Sequence, residues 1–112
     1  MECKLSEKKC VPCEGGVPPL DRSTVDKLLR DLDGWSLAGN QIEKQFAFKD
    51  FVRNMKFVNA IAEVAEKEGH HPDLHIHGWN KLRVTLSTHA INGLTENDFI
   101  VAAKIDEIPK PN

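Results

Sequence analysis

Residues 50–86 read DFVRNMKFVNAIAEVAEKEGHHPDLHIHGWNKLRVTL, and a change of period inside this stretch decides the fold. Phe51, Met55, Val58, Ala62 and Ala65, widened by Val52 and Ile61, recur every three to four residues. That spacing predicts one long helix from about Asp50 to Glu68. Gly69 suits its C-terminal stop, and Pro72 prevents resumption. The period then shortens to two. Leu74 and Ile76 alternate with His75, His77 and Trp79, and Leu82, Val84 and Leu86 alternate with Arg83 and Thr85. With a turn at Gly78-Trp79-Asn80, the two runs predict an antiparallel hairpin.

A second hairpin precedes the long helix. In Gln41 to Phe48, Ile42, Phe46 and Phe48 share one face and Glu43 and Gln45 the other, and Trp35 to Ala38 pairs with this run through Gly39-Asn40. Before it, Val25, Leu28, Leu29 and Leu32 follow a helical spacing, with Asp21 or Ser23 as cap and Asp33-Gly34 as the expected end. After the second hairpin, Thr95 with Asp98 three residues on marks a helix start, and Leu94 and Phe99 form a hydrophobic staple across it. The body is Phe99 to Ile105, and Pro109 and Pro111 end regular structure. The order α-ββ-α-ββ-α predicts an α+β two-layer sandwich, a four-stranded antiparallel sheet with helices packed on one face. Residues 1–20 read as an N-terminal extension carrying Cys10-Val11-Pro12-Cys13 and a run of glycine and proline, and residues 21–112 as the domain.

Composition narrows the functional classes. A chain of 112 residues is one domain's worth, and 15 basic against 17 acidic residues supply no cationic surface for nucleic acid or an anionic membrane. No apolar run approaches the roughly 20 residues that span a bilayer. The first ten residues lack the apolar stretch of a secretory signal, so a cytoplasmic setting is expected. All three cysteines fall within the first thirteen residues, an odd set that does not read as a disulfide framework.

Chemistry concentrates in one window. All five histidines lie between His70 and His89. Imidazole, with an unperturbed pKa of about 6.5, exchanges protons near neutral pH and also binds metals. His70 and His71 sit where the long helix ends, and His89 follows the last strand; pairing of the second hairpin brings these ends together. Glu66, one turn earlier, projects toward the same region. Plainer roles compete. His75 and His77, alternating on a strand, are more simply solvated side chains. Asp98 has a capping role that takes the larger share. Glu66 serves equally well as a surface acid, Trp79 as a turn residue, and Ser87 and Thr88 as the end of a strand. A metal reading would use His75 and His77 on one strand face, or Cys3, Cys10 and Cys13, but neither set is complete, and no metal is assigned.

The pattern Glu66-x3-His70-His71-Pro72, then Trp79, then Leu86-Ser87-Thr88-His89, then Gly93-Leu94-Thr95-x2-Asp98 resembles the pterin-4a-carbinolamine dehydratase family, whose members are also known as dimerization cofactors of a homeodomain transcription factor. Similarity continues through Gly34-Trp35 and Lys44-Gln45-Phe46-x-Phe48-Lys49-Asp50-Phe51, so roughly residues 21 to 107 are covered. The resemblance implies a hydro-lyase that dehydrates 4a-hydroxytetrahydrobiopterin to quinonoid dihydropterin and so recycles the tetrahydropterin. It implies catalysis by His70, His71 and His89, with His70 and His89 as the acid–base pair and His71 orienting the ring. Glu66, Ser87, Thr88 and Asp98 would bind substrate, Glu66 by holding the amino-pyrimidine edge or tuning His70. No cofactor is implied, because no redox step occurs. The resemblance implies a pterin substrate as small-molecule partner and a homodimer or homotetramer as the assembly. Leu74 departs from relatives that carry an aromatic there. A non-catalytic assembly or transcriptional dimerization role on the same fold is the competing expectation.

Overall fold

The computed structural model describes residues 5–8, 10 and 18–111. Helices α1 (Arg22–Arg30), α2 (Phe51–Glu68) and α3 (Glu96–Asp106) alternate with strands β1 (Ser36–Ala38), β2 (Gln41–Ala47), β3 (Asp73–His77) and β4 (Lys81–Leu86). The strands form one antiparallel sheet in the order β1-β2-β4-β3. The expected α+β sandwich and its element order are therefore what the chain forms.

Register follows from the period of two. Ile42 faces Leu86 and Phe46 faces Leu82 across β2 and β4, while Leu74 and Ile76 on β3 oppose Val84 and Leu82. Ile42, Phe46, Leu82, Val84 and Leu86 are buried against Val25 of α1, Phe57 and Ile61 of α2, and Phe99 to Ala102 and Ile105 of α3. The opposite sheet face carries Glu43, Gln45, His75 and Arg83 and, among the described residues, packs no helix, as alternation allows.

Two expectations change. α1 ends at Arg30, with Asp31 as C-cap, and Gly34 (φ 85°) falls in the turn that follows rather than at the helix end. On α2 the buried residues are Asn54, Phe57, Ile61 and Ala65. Ile61 and Ala65 belong to the expected stripe and Val58 packs partly on the core, but Asn54 and Phe57 lie outside it, and the stripe's beginning at Phe51 and Val52 stays out of the core. Phe51 and Val52 are 50% and 62% exposed. Phe57 extends the apolar stripe to one side and Phe51 and Val52 to the other, and periodicity alone does not say which edge the sheet takes.

The caps are carboxylates. Asp21 accepts from the Thr24 amide and Asp50 from the Arg53 amide, and these bonds hold both carboxyls below the usual value of 3.8. The end of α3 is fastened to the first hairpin by Asp106, which accepts from Trp35 Nε1 at 2.9 Å and Lys44 Nζ at 2.8 Å. Replacing Asp106 with Ala strands the indole N–H of a buried tryptophan. A loss of about 1–3 kcal/mol is expected, read as a lowered urea midpoint at constant slope.

The lead-in packs on the domain. Leu5, in a short 3-10 turn, is buried with the core residues of α3. Cys3 and Cys13 lie outside the described residues, so the Cys10-x-x-Cys13 pair has only Cys10 in view.

Candidate active site

α2 stops because Gly69 adopts a left-handed conformation (φ 68°), its amide bonded to Ala65 O. The chain turns there and presents His70 and His71 before β3 begins. On the other side, β4 runs out into Ser87 and Thr88, and Thr88 bridges to Gly93. The intervening residues form a short 3-10 turn, His89–Ile91, closed by Asn92 in a left-handed conformation. Gly93 keeps this loop seated. A Cβ there would come within 2.8 Å of Pro19 Cβ, so the lead-in and the loop meet at a position that needs glycine.

His70 is fixed by Asp98. Its Nε2 lies 2.6 Å from Asp98 Oδ1. Asp98 is 0% exposed, and its other oxygen accepts from Thr88 Oγ1 at 2.9 Å and the Thr95 amide at 3.0 Å. One carboxylate thus caps α3 with one oxygen and orients an imidazole with the other. Because Asp98 acts as acceptor, the His70 nitrogen facing it donates, and Nδ1 is the ring atom left for a ligand. Thr88 Oγ1 also lies 2.8 Å from Thr95 Oγ1, which ties β4 to the start of α3.

His71 Nε2 lies 2.6 Å from Glu66 Oε2, in an exposed pair. In water such a pair steers a ring more than it stabilises a fold. His89 is exposed on its turn.

These side chains surround a cavity of about 490 Å³. It is lined by His70 and His71 after the end of α2, by Ser87, Thr88 and His89 after β4, and by Cys10, Glu68 and Asn97. The volume suits a bicyclic heteroaromatic ligand. Of the residues singled out from sequence, the three histidines, Ser87 and Thr88 line it. Asp98 lies behind His70. Glu66 pairs with His71 rather than His70 and does not line the cavity.

Glu68 lines it without having been singled out, and Cys10, weighed from sequence only as a thiolate ligand, lines it as well. Glu68 follows Ile61 and Ala65 on the buried side of α2, a signal available to periodicity, and its side chain pairs with Lys104 at 3.4 Å. Cys10 arrives from the lead-in, where no period exists to read. Its thiol is pushed up to about 12 by burial first and by the Glu68 carboxylate second.

His75 and His77 stand on the open sheet face with ring centroids 5.3 Å apart. Among the described residues no group of three or more His, Cys, Asp or Glu is placed to hold a metal. A shallow groove of about 500 Å³ on that face is bordered by Glu43, Asp73, His75 and Arg83.

Comparisons with known proteins bear on this arrangement. Residues 18–108 match the family model described as pterin 4 alpha carbinolamine dehydratase. A protein of Nitrosomonas eutropha, provisionally named pterin-4-alpha-carbinolamine dehydratase, is 53% identical over 105 residues, covering 93% of this chain and 92% of its own. One of Rickettsia bellii with the same provisional name is 52% identical over 106 residues, covering 93% of each. Among solved structures, the transcriptional coactivator/pterin dehydratase of Brucella melitensis superposes with a TM-score of 0.73 at 39% identity, over 79% of this chain and 95% of that one. A pterin dehydratase-like protein identified as a RuBisCO assembly factor in the alpha-carboxysome is also similar, with a TM-score of 0.56 at 27% identity, over 66% of this chain and 87% of that one.

Proposed function

Since the chain belongs to the pterin 4 alpha carbinolamine dehydratase family, we propose that it converts 4a-hydroxytetrahydropterin to quinonoid dihydropterin and water in the cavity between α2 and β4. In the substrate a hydroxyl and a ring nitrogen share one carbon. The C4a–O bond breaks, the oxygen takes a proton and leaves as water, N5 loses its proton, and a C4a=N5 double bond forms. Electrons are conserved within the ring, so the protein supplies only proton transfers and placement. The observation that carries this reading is the Asp98–His70 pair, a buried carboxylate holding an imidazole at the wall of a cavity that His89 also lines.

His70 presents Nδ1 with its ring angle set by Asp98. His89 stands on the turn after β4. One gives the proton to the departing oxygen while the other accepts from N5, and which does which follows the ring face bearing the hydroxyl. His71, steered by Glu66, positions the ring, and the Ser87 and Thr88 wall meets its edge. Each acid–base group contributes about 10²–10⁴-fold. The direct test is loss of carbinolamine generated in place by an aromatic amino acid hydroxylase. The chain should accelerate the loss at least about a hundredfold over buffer, and a rate equal to buffer would defeat the reading.

The second reading is assembly or dimerization without catalysis. It is favoured by the likeness to the RuBisCO assembly factor. The clustered histidines weigh against it, since a scaffold has no need of an oriented imidazole at a cavity.

We propose a cytoplasmic homodimer or homotetramer. β3 is an edge strand showing Leu74 and Ile76, and Phe51 and Val52 expose the unused apolar edge of α2. Sedimentation should give two or four times the 12.6 kDa chain mass. Phe51→Ser with Val52→Asp should lower the mass, and an unaltered mass would clear α2 of a role in assembly. Among the described residues no helix is long and apolar enough to cross a membrane.

A further inference from the structure

The lead-in touches both elements that set the site. Leu5 is buried against α3, and Lys8 Nζ reaches Glu96 Oε2 at 3.2 Å, at the first residue of that helix. The Cys10 amide donates to Glu68 Oε1 at 2.9 Å, and its thiol points to the Asn97 carbonyl at 3.6 Å. Glu68 is the last residue of α2, two before His70, and Asn97 immediately precedes Asp98. Cys10 therefore spans the two segments whose closeness sets the 2.6 Å contact between His70 and Asp98, and its side chain forms part of the same cavity wall.

Resting on the pterin reading above, we propose that Cys10 is a substrate-positioning residue, the fixed wall against which the pterin ring is held between His70 and His89. A neutral sulfhydryl suits that place. Sulfur packs well against aromatic rings, and bonding to Asn97 holds its position. Glu68, salt-bridged to Lys104 beneath, fixes the backbone of Cys10 so that the wall cannot retreat. The wall limits the width of the cavity, and added bulk there crowds the ring without touching the proton-transferring groups.

The test uses the full chain carrying Cys10→Leu, Cys10→Ala or Cys10→Ser. Cys10→Leu should raise KM at least about tenfold while kcat stays within about threefold, with thermal midpoint unchanged; Cys10→Ala should raise KM by less, and Cys10→Ser, which can still bond Asn97, should lie near the parent. A KM for Cys10→Leu within about twofold of the parent, beside an active parent, overturns the proposal. A second measurement follows modification of Cys10 by a small neutral thiosulfonate in a Cys3→Ser, Cys13→Ser background, with and without 7,8-dihydropterin. Protection of at least about fivefold is expected, and equal rates overturn the proposal. Protection without turnover would keep Cys10 in the pterin site and remove the dehydratase reading, so the two failures are distinct.

Discussion

His70→Ala is expected to lower kcat/KM for carbinolamine dehydration by about 10²–10⁴-fold while the chain remains folded. The geometry of the site makes this the largest catalytic effect. His70 is the histidine whose ring is held by a buried acceptor, at 2.6 Å from Asp98 Oδ1, so its Nδ1 is placed before substrate arrives. Its side chain retains 12% exposure at the cavity, so water can enter the space an alanine leaves and bond to Asp98. That limits the cost in stability to about 1–2 kcal/mol, because Asp98 keeps Thr88 and the Thr95 amide as donors. Most of the loss should fall on kcat, since the missing group acts in proton transfer rather than in holding the ring. His89→Ala should show the same kind of loss, at least about tenfold. His71→Ala should act more on KM. Loss confined to KM in His70→Ala would show a binding group and remove it from the chemistry.

Asp98→Ala is expected to have the largest effect on stability, about 3–5 kcal/mol, together with loss of activity. The carboxylate is 0% exposed and receives three donors, so its removal leaves the Thr95 amide and a His70 ring nitrogen without an acceptor in a buried region, while the Thr88 hydroxyl keeps only its bond to Thr95 Oγ1. It also removes the carboxylate half of the capping box at the start of α3, leaving Thr95 as the N-cap. Asp98→Asn separates the two roles. The amide oxygen can still accept from Thr95 and Thr88, which keeps α3 capped, but the amide nitrogen then faces the histidine and inverts which ring nitrogen carries the proton. Stability should fall by less than in Asp98→Ala, while activity falls by about as much as in His70→Ala. Chemical denaturation paired with kinetics on the two variants checks this. Full activity in Asp98→Asn would mean that Asp98 only caps the helix.

The change of period between residues 50 and 86 made the architecture legible, because each half of that stretch has one side to bury. The direction of α2 was less legible. Phe57 and Ile61 are buried in the core while Phe51 and Val52 are not, and a wide apolar stripe carries no mark of which edge meets its own sheet. Convergence of His70, His71 and His89 could be anticipated from hairpin pairing, since an antiparallel register brings the start of β3 beside the end of β4. The dual use of Asp98 could not, because a capping box explains that residue completely when only sequence spacing is available. Cys10 was illegible for another reason: a segment without periodicity gives no clue to where it packs. Glu66 shows the reverse error. It is one turn from the histidines, yet its partner is the exposed His71, which lies on its side of the helix end.

The most direct measurement is a crystal structure of the chain with 7,8-dihydropterin bound. The account predicts a single ring in the cavity between His70 and His89, with N5 or the C4a substituent position within hydrogen-bonding reach of His70 Nδ1 and the ring face against Cys10. A ring found instead in the groove beside His75 and Arg83 would contradict it, as would one beyond reach of all three imidazoles.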